Sequence, residues 1–275
     1  MMDLLVALLA TLGPPPAGVL APDGPGILDE RGIHEMYVDV GGLTIRALCT
    51  DGARRVVLWH GEGGSADSWR PVLERLDGSI GACAFDRRGA GRSEPPPGER
   101  GWFEFVDELR RIHLALGFEH GYVLTAHSLG GLYARVYAAD RPTDLAGLVL
   151  IDPAHEDAPA LVRQGMPPRE WERWNAARAL PNADGVVEQV VARRARRAVL
   201  PEVPVTVVTA ALRRDGEGWD ARFLNEAARQ GHVSIVRSAT FGRHVPAQRS
   251  GHDVHLDEPG LVADEILRVV RASRR

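Results

Sequence analysis

From residue 33 onward, short runs rich in β-branched and apolar residues alternate with longer stretches whose apolar residues recur every three or four positions. No other feature constrains the fold as tightly. Residues 56–60, 80–85, 122–126 and 145–151 are nearly unbroken apolar runs, the pattern of strands covered on both faces. Between them, residues 66–76, 102–116 and 129–139 carry helical periodicity. Residues 38–40 and 43–49, joined at Gly41-Gly42, read as a hairpin. This succession predicts an α/β fold, a mainly parallel sheet with helices on both faces and its chemistry at the carboxyl ends of the strands. Residues 153–202 lack strand signals and hold two helical stretches, near 169–178 and 183–199. Strand and helix then return at 203–209, 219–230 and 243–247, with a closing helix over 259–270.

Ahead of this body, residues 1–32 read as an extension and linker. The apolar stretch 4–12 is too short to span a bilayer, and Asp3 stands where a secretory signal carries a cation. A cytoplasmic protein is the expectation, with a signal cleaved near Ala21 as the alternative. Pro14, Pro15, Pro16, Gly18, Pro22, Gly24, Pro25 and Gly26 mark the linker.

Composition removes several chemistries. The chain has no lysine, so all 33 cationic residues are arginine. Schiff-base and pyridoxal-phosphate catalysis and the nucleotide P-loop each need a lysine amine and are excluded. The 2 cysteines, Cys49 and Cys83, cannot build a four-thiolate zinc site or an ordinary iron–sulfur cluster. A net charge of -4 offers no attraction to a phosphate backbone, so nucleic acid is not an expected partner; a small-molecule substrate is. The run Arg193-Arg194-Ala195-Arg196-Arg197 reads as a solvated helix face.

The sharpest chemical pattern is Ala126-His127-Ser128-Leu129-Gly130, placed where a strand must turn into a helix. A serine on such a strained turn needs very small residues two positions before and after it, and Ala126 and Gly130 supply them. The helix that starts there aims its positive end at the serine, which favours an oxyanion. A second motif, His60-Gly61-Glu62-Gly63-Gly64, follows the strand at 56–60 and lets backbone approach a substrate carbonyl. The backbone amides of Glu62 and Leu129 are the expected oxyanion donors, and His60 reads as a residue that orders the loop. In Asp86-Arg87-Arg88-Gly89-Ala90-Gly91-Arg92-Ser93 the glycines mark a tight loop, with Asp86 tying it to nearby amides. No Rossmann-type helix follows to make it a phosphate site. A serine also needs an imidazole base held by a carboxylate. His252, after Gly251, is preferred over His255 because it can swing toward the elbow. The cluster His252, Asp253, His255 and Asp257 could chelate a metal, but no helical zinc motif or cysteine accompanies it; neither metal nor cofactor is expected.

Taken together, the elbow at Ser128, the turn at His60, the Asp86 loop and the terminal Gly251-His252-Asp253-Val254-His255-Leu256-Asp257-Glu258-Pro259 segment resemble the α/β-hydrolase superfamily. The resemblance runs from about Met36 to Arg271, and the stretch 148–157 is similar to that of small bacterial esterases and proline-iminopeptidase-like proteins. It implies an eight-stranded, mostly parallel sheet formed by residues 33–152 and 203–275, with a helical cap, residues 153–202, inserted after strand six. It further implies a nucleophile, acid, histidine order along the chain. The common acid position, after Thr209, reads Ala210-Ala211-Leu212-Arg213-Arg214, with Asp215 arriving late. Asp152, at the end of an apolar strand that fixes it better than an arginine-rich loop, is the preferred acid and Asp215 the alternative. The family also places the strands of Cys49 and Cys83 side by side, which allows a disulfide, yet without a firm secretory signal free buried thiols are expected.

What the resemblance implies functionally is a serine hydrolase acting on a small or medium ester, lactone or thioester. Cofactor-free haloperoxidase or perhydrolase chemistry and aminopeptidase activity are alternatives on the same residues, and a small-molecule receptor is the alternative of another class. Haloalkane dehalogenation is disfavoured because the elbow carries Ser128 where that reaction uses aspartate. In the cap, Trp171 and Trp174 lie among Arg163, Arg169, Arg173 and Arg178, an apolar wall with a cationic rim or simply packing.

Overall fold

The computed structural model describes residues 19–20, 32–76, 78, 80–96, 98–211 and 221–273. Among them, strands β1 (Val19–Leu20), β2 (Ile33–Asp39), β3 (Thr44–Thr50), β4 (Ala53–Trp59), β5 (Ile80–Phe85), β6 (Tyr122–His127), β7 (Leu145–Ile151), β8 (Pro204–Ala210) and β9 (Phe241–Ala247) form one sheet. Its order is β1-β2-β3-β5-β4-β6-β7-β8-β9. The stretch from β5 to β9 is parallel, and β1, β2 and β3 add an antiparallel edge. Strands β2 to β9 are the eight that the resemblance implies; β1 pairs with Tyr37 and Val38 from within the segment read as linker.

Successive side chains on a strand point to opposite faces, so each apolar run feeds two cores. Val57 and Trp59 of β4, Leu124 of β6 and Leu148 and Leu150 of β7 lie on one face. There they meet Phe105 and Leu109 of α2 (Trp102–Ala115), Leu132 and Tyr133 of α3 (Ser128–Asp140) and Val191 of α6 (Glu188–Ala195). Val56, Leu58, Val123, Val149 and Ile151 face the other way, onto Val72 of α1 (Arg70–Leu73) and Ile266 and Val269 of α9 (Pro259–Ala272). Each fully buried side chain of this kind contributes roughly 1.5–3 kcal/mol. The sheet is thereby held from both sides, and the ends of β4, β6 and β7 become rigid platforms.

Three details depart from the sequence reading. Cys49 and Cys83 are joined in a disulfide rather than free, because they are direct partners in the antiparallel β3/β5 pair with Cα atoms 4.2 Å apart. Between β7 and β8 stand α4 (Ala158–Gly165), α5 (Pro168–Ala177) and α6, so the predicted two helical stretches are three. The helix expected to end before Gly231 continues as α7 (Ala221–Ser238), since that glycine serves a close approach: a Cβ there would lie 2.6 Å from the His155 side chain. Residues Val162 and Met166 with Ala227 make a small separate core that seats α4 on α7. No helix among the described residues is long and apolar enough to cross a membrane.

Candidate active site

Strand β6 ends at His127 and α3 begins at Ser128 with no residue between them. The join is possible only because Ser128 adopts φ 51°, the left-handed region that a side chain avoids. Among the described residues Asp152 is the other non-glycine with positive φ, 39°, and it follows the last residue of β7. The glycines after the serine are there for contact. A Cβ on Gly130 would sit 2.4 Å from the His60 carbonyl oxygen, and one on Gly131 2.6 Å from Pro153 Cβ. Gly61 is packed equally close, with a Cβ position 2.8 Å from His127 Nδ1 and 3.1 Å from Ser128 Cβ.

His252 Nε2 lies 2.8 Å from Ser128 Oγ, and His252 Nδ1 lies 2.6 Å from Asp152 Oδ2. The Ala210 amide donates to Asp152 Oδ1 at 3.1 Å. Since the carboxylate accepts, Nδ1 carries the ring proton and Nε2 is left to accept the serine hydroxyl. These three residues are far apart in sequence and are brought together by the ends of β6 and β7 and the loop after β9. Asp215, the alternative acid, lies outside the described residues.

His255 takes another place. Its ring is buried against Trp69 at 4.7 Å and His127 at 4.4 Å between centroids. His127, in turn, lies 4.6 Å from the His252 ring and donates Nε2–H to the His252 carbonyl at 3.0 Å, clasping the loop that carries His252. Burial, reinforced by the neighbouring imidazoles, depresses His127 to a pKa of about 4 and His255 to about 2. Both stay neutral beside His252. His127, His255 and Asp253 each place one potential ligand atom within 4.8 Å of the others. His127 Nε2 is however engaged with the His252 carbonyl, and Asp257 instead accepts from the Gly251 amide. That donor set does not fit an ion without breaking the clasp.

The residues read as scaffold do hold the turns. Asp86 is fully buried and accepts from the amides of Ala66 at 2.7 Å and Arg92 at 2.9 Å. His60 Nδ1 bonds the Gly61 carbonyl at 2.7 Å, while its Nε2 accepts the Arg87 amide at 3.3 Å. Its burial, next to Arg87, pushes the imidazole well below its ordinary pKa, so His60 is neutral. Sequence reasoning passed over two groups. One is His232 of α7, which donates Nε2–H to Pro153 O at 2.9 Å and steadies the turn after Asp152. The other is Arg87, which the sequence reading left within the Asp86 loop without a role of its own.

Ser128 opens on two cavities. The larger, about 610 Å³, is lined by Glu62, Leu129, Val162, Met166, Trp174 and Leu180 among others, and the smaller, about 130 Å³, by Asp152, His155, Ala228 and His252. Arg178 borders both but is paired with Glu188 at 2.7 Å and lies over the Trp174 ring at 4.6 Å. A groove of about 670 Å³ between α3 and α6, lined by Arg193, Arg194 and Arg197, includes none of these residues.

The sequence profile of the alpha/beta hydrolase fold family matches residues 54–241. The chain belongs to that family. Among its relatives, YqjL of Bacillus subtilis is 25% identical over 209 residues, 75% of this chain and 79% of that protein. Two solved structures of this fold superpose well. Cfl2 from Burkholderia cenocepacia has a TM-score of 0.62 at 18% identity, over 87% of this chain and 97% of that one. A thermophilic esterase from Thermogutta terrifontis has a TM-score of 0.59 at 20% identity, over 88% and 99%. As in other α/β hydrolases, the residues described above gather at the carboxyl ends of the parallel strands, where loops can vary without disturbing the sheet.

Proposed function

We propose that the protein is a serine hydrolase that cleaves a carboxylic ester, lactone or thioester through an acyl-enzyme intermediate. The observation that carries this reading is the continuous hydrogen-bonded line Ser128 Oγ, His252 Nε2, His252 Nδ1, Asp152 Oδ2, with steps of 2.8 and 2.6 Å. In this reading Ser128 Oγ attacks the carbonyl carbon as His252 Nε2 takes its proton, and the carbonyl π pair moves onto oxygen. The amides of Glu62 and Leu129 stabilise that oxyanion; both residues line the larger cavity beside Ser128. Collapse of the tetrahedral species breaks the bond to the leaving oxygen or sulfur, which receives the proton from His252. Water then repeats the sequence, releasing the acid. Asp152 stabilises the imidazolium in both halves, and the neutral His127 and His255 add no opposing charge.

The larger cavity is mainly apolar, and its cation, Arg178, is already neutralised by Glu188, which favours an uncharged acyl group. The nucleophile being Ser128, halide displacement through an aspartyl ester has no starting point here.

A fluorophosphonate probe should label the folded wild-type protein at Ser128, and a chain-length series of p-nitrophenyl esters should show saturable turnover. Ser128→Ala should abolish both. Ester turnover surviving in Ser128→Ala would refute the proposal, and folded wild-type protein that takes no label would refute it in favour of a binding protein.

A further inference from the structure

Arg87 is buried, and all three nitrogens of its guanidinium donate, in four hydrogen bonds. Nη1 donates to the His60 carbonyl at 2.7 Å and Nη2 to the Gly61 carbonyl at 3.3 Å. Nε and Nη2 donate to the two carboxylate oxygens of Asp184 at 2.9 and 3.3 Å. The face of the group lies over the Tyr133 ring, 5.6 Å from its centroid. Asp184 comes from the loop between α5 and α6, so a single side chain joins the segment above the sheet to the turn beside Ser128.

The Gly61 carbonyl and the Glu62 amide belong to one peptide unit, which is planar and trans, so the C=O and N–H point in opposite directions. Whatever fixes the Gly61 oxygen therefore fixes the direction of the Glu62 N–H. Three donors hold that oxygen: His60 Nδ1 at 2.7 Å, Arg87 Nη2 at 3.3 Å and the Gly64 amide at 3.4 Å. Arg87 acts twice, since its own amide donates to His60 Nε2 and thereby selects the tautomer in which Nδ1 carries the proton. The contact with the α5–α6 loop is tight, a Cβ on Gly89 meeting the Ala183 carbonyl oxygen at 2.1 Å. Asn182 of the same loop donates to the Tyr133 hydroxyl at 2.7 Å, and Arg100 Nε to the Asp184 carbonyl at 2.9 Å.

We propose that Arg87, clamped by Asp184, is a positioning residue that aims the Glu62 amide at the developing oxyanion, so that seating of the α5–α6 loop sets the rate of turnover. The inference rests on the serine-hydrolase reading and extends it from the reacting groups to the segment that covers them. A lysine could not do this, because an ammonium lacks the planar fork that meets two carbonyls and a carboxylate at once.

The test compares Arg87→Met, which keeps an unbranched side chain without donors, and Asp184→Asn, which keeps shape but removes the charge. Wild type and variants are assayed with p-nitrophenyl butyrate, a trifluoromethyl ketone that forms an oxyanion adduct, and thermal unfolding. Loss of one oxyanion donor costs about 10²-fold or more in kcat, so misaiming it in Arg87→Met should lower kcat about tenfold or more, with KM within about twofold. The ketone's inhibition constant should rise by the same factor, and Asp184→Asn should show a smaller loss of the same kind in a protein that unfolds near the wild-type temperature. Should Arg87→Met prove too unstable to assay, Asp184→Asn decides. Unchanged kcat and ketone binding in folded variants would overturn the proposal, as would a raised KM with kcat intact, which would place the loop in substrate binding. Ser128→Ala run alongside separates the two layers. Turnover that survives it overturns the hydrolase reading together with this one, whereas turnover lost in Ser128→Ala but unchanged in both Arg87→Met and Asp184→Asn overturns the positioning role alone.

Discussion

Mild acid should unfold this protein, and four buried histidines set the scale. Burial, with Arg110 nearby, holds His113 at about 3; burial also brings His232 and His127 to about 4 and His255 to about 2. The hydrogen bonds agree. His113 accepts from Trp59 Nε1 at 3.1 Å, and His232 Nδ1 accepts from the Thr209 hydroxyl at 2.8 Å, so a second ring proton would break a bond in each. In the unfolded chain these imidazoles titrate near 6.5, while the folded protein keeps them neutral to well below 5. Their contribution is therefore complete above about pH 6.5 and is lost as pH falls, because the unfolded state takes up the protons first. Between pH 7.5 and pH 5 each histidine costs about 2 kcal/mol, and the four together about 8 kcal/mol, comparable with the whole stability of an ordinary domain. Urea unfolding followed by tryptophan fluorescence at pH 7.5, 6 and 5 measures this directly. A loss below about 2 kcal/mol over that range would refute the reasoning, since even one buried neutral histidine would account for it.

The remaining predictions concern the site and the sheet. Asp152→Asn should lower kcat by about 10⁴-fold, because an amide no longer selects the His252 tautomer, while Asp215→Asn should leave it within about twofold; the reverse result in ester assays would move the acid to Asp215. Gly130→Ala forces a methyl toward the His60 carbonyl and should cost about 1–3 kcal/mol in thermal or urea unfolding together with a loss of kcat, neither of which an open position would show. Reducing the Cys49–Cys83 bond, whose ends are 34 residues apart, should lower stability by about 4 kcal/mol on the chain-entropy model, and alkylation of the unreduced protein should find no free thiol.

Much of the architecture was legible because it follows from local rules. The β-branched runs at β4, β5, β6 and β7 had to be buried on both faces, and the pattern around Ser128 announces a strand-to-helix turn by the size of its neighbours alone. Glycine was less transparent. Gly231 looked like a helix end, yet it lies inside α7 because His155 packs against it, a contact invisible without the partner. Arg87 and Asp184 were unreadable as a pair for the same reason, being 97 residues apart.

By itself, then, the sequence determined the α/β sheet, the sharp turn that exposes Ser128, the glycine-rich turn at Gly61 and the absence of any lysine chemistry, each a matter of residue size, periodicity or inventory. Only the tertiary structure decided that His252 rather than His255 stands at the serine, that Asp152 stands behind it, that Cys49 meets Cys83 and that Arg87 bridges two segments. Those outcomes depend on strand order and register, which bring distant residues within 3 Å, and no local preference encodes which distant side chain will arrive.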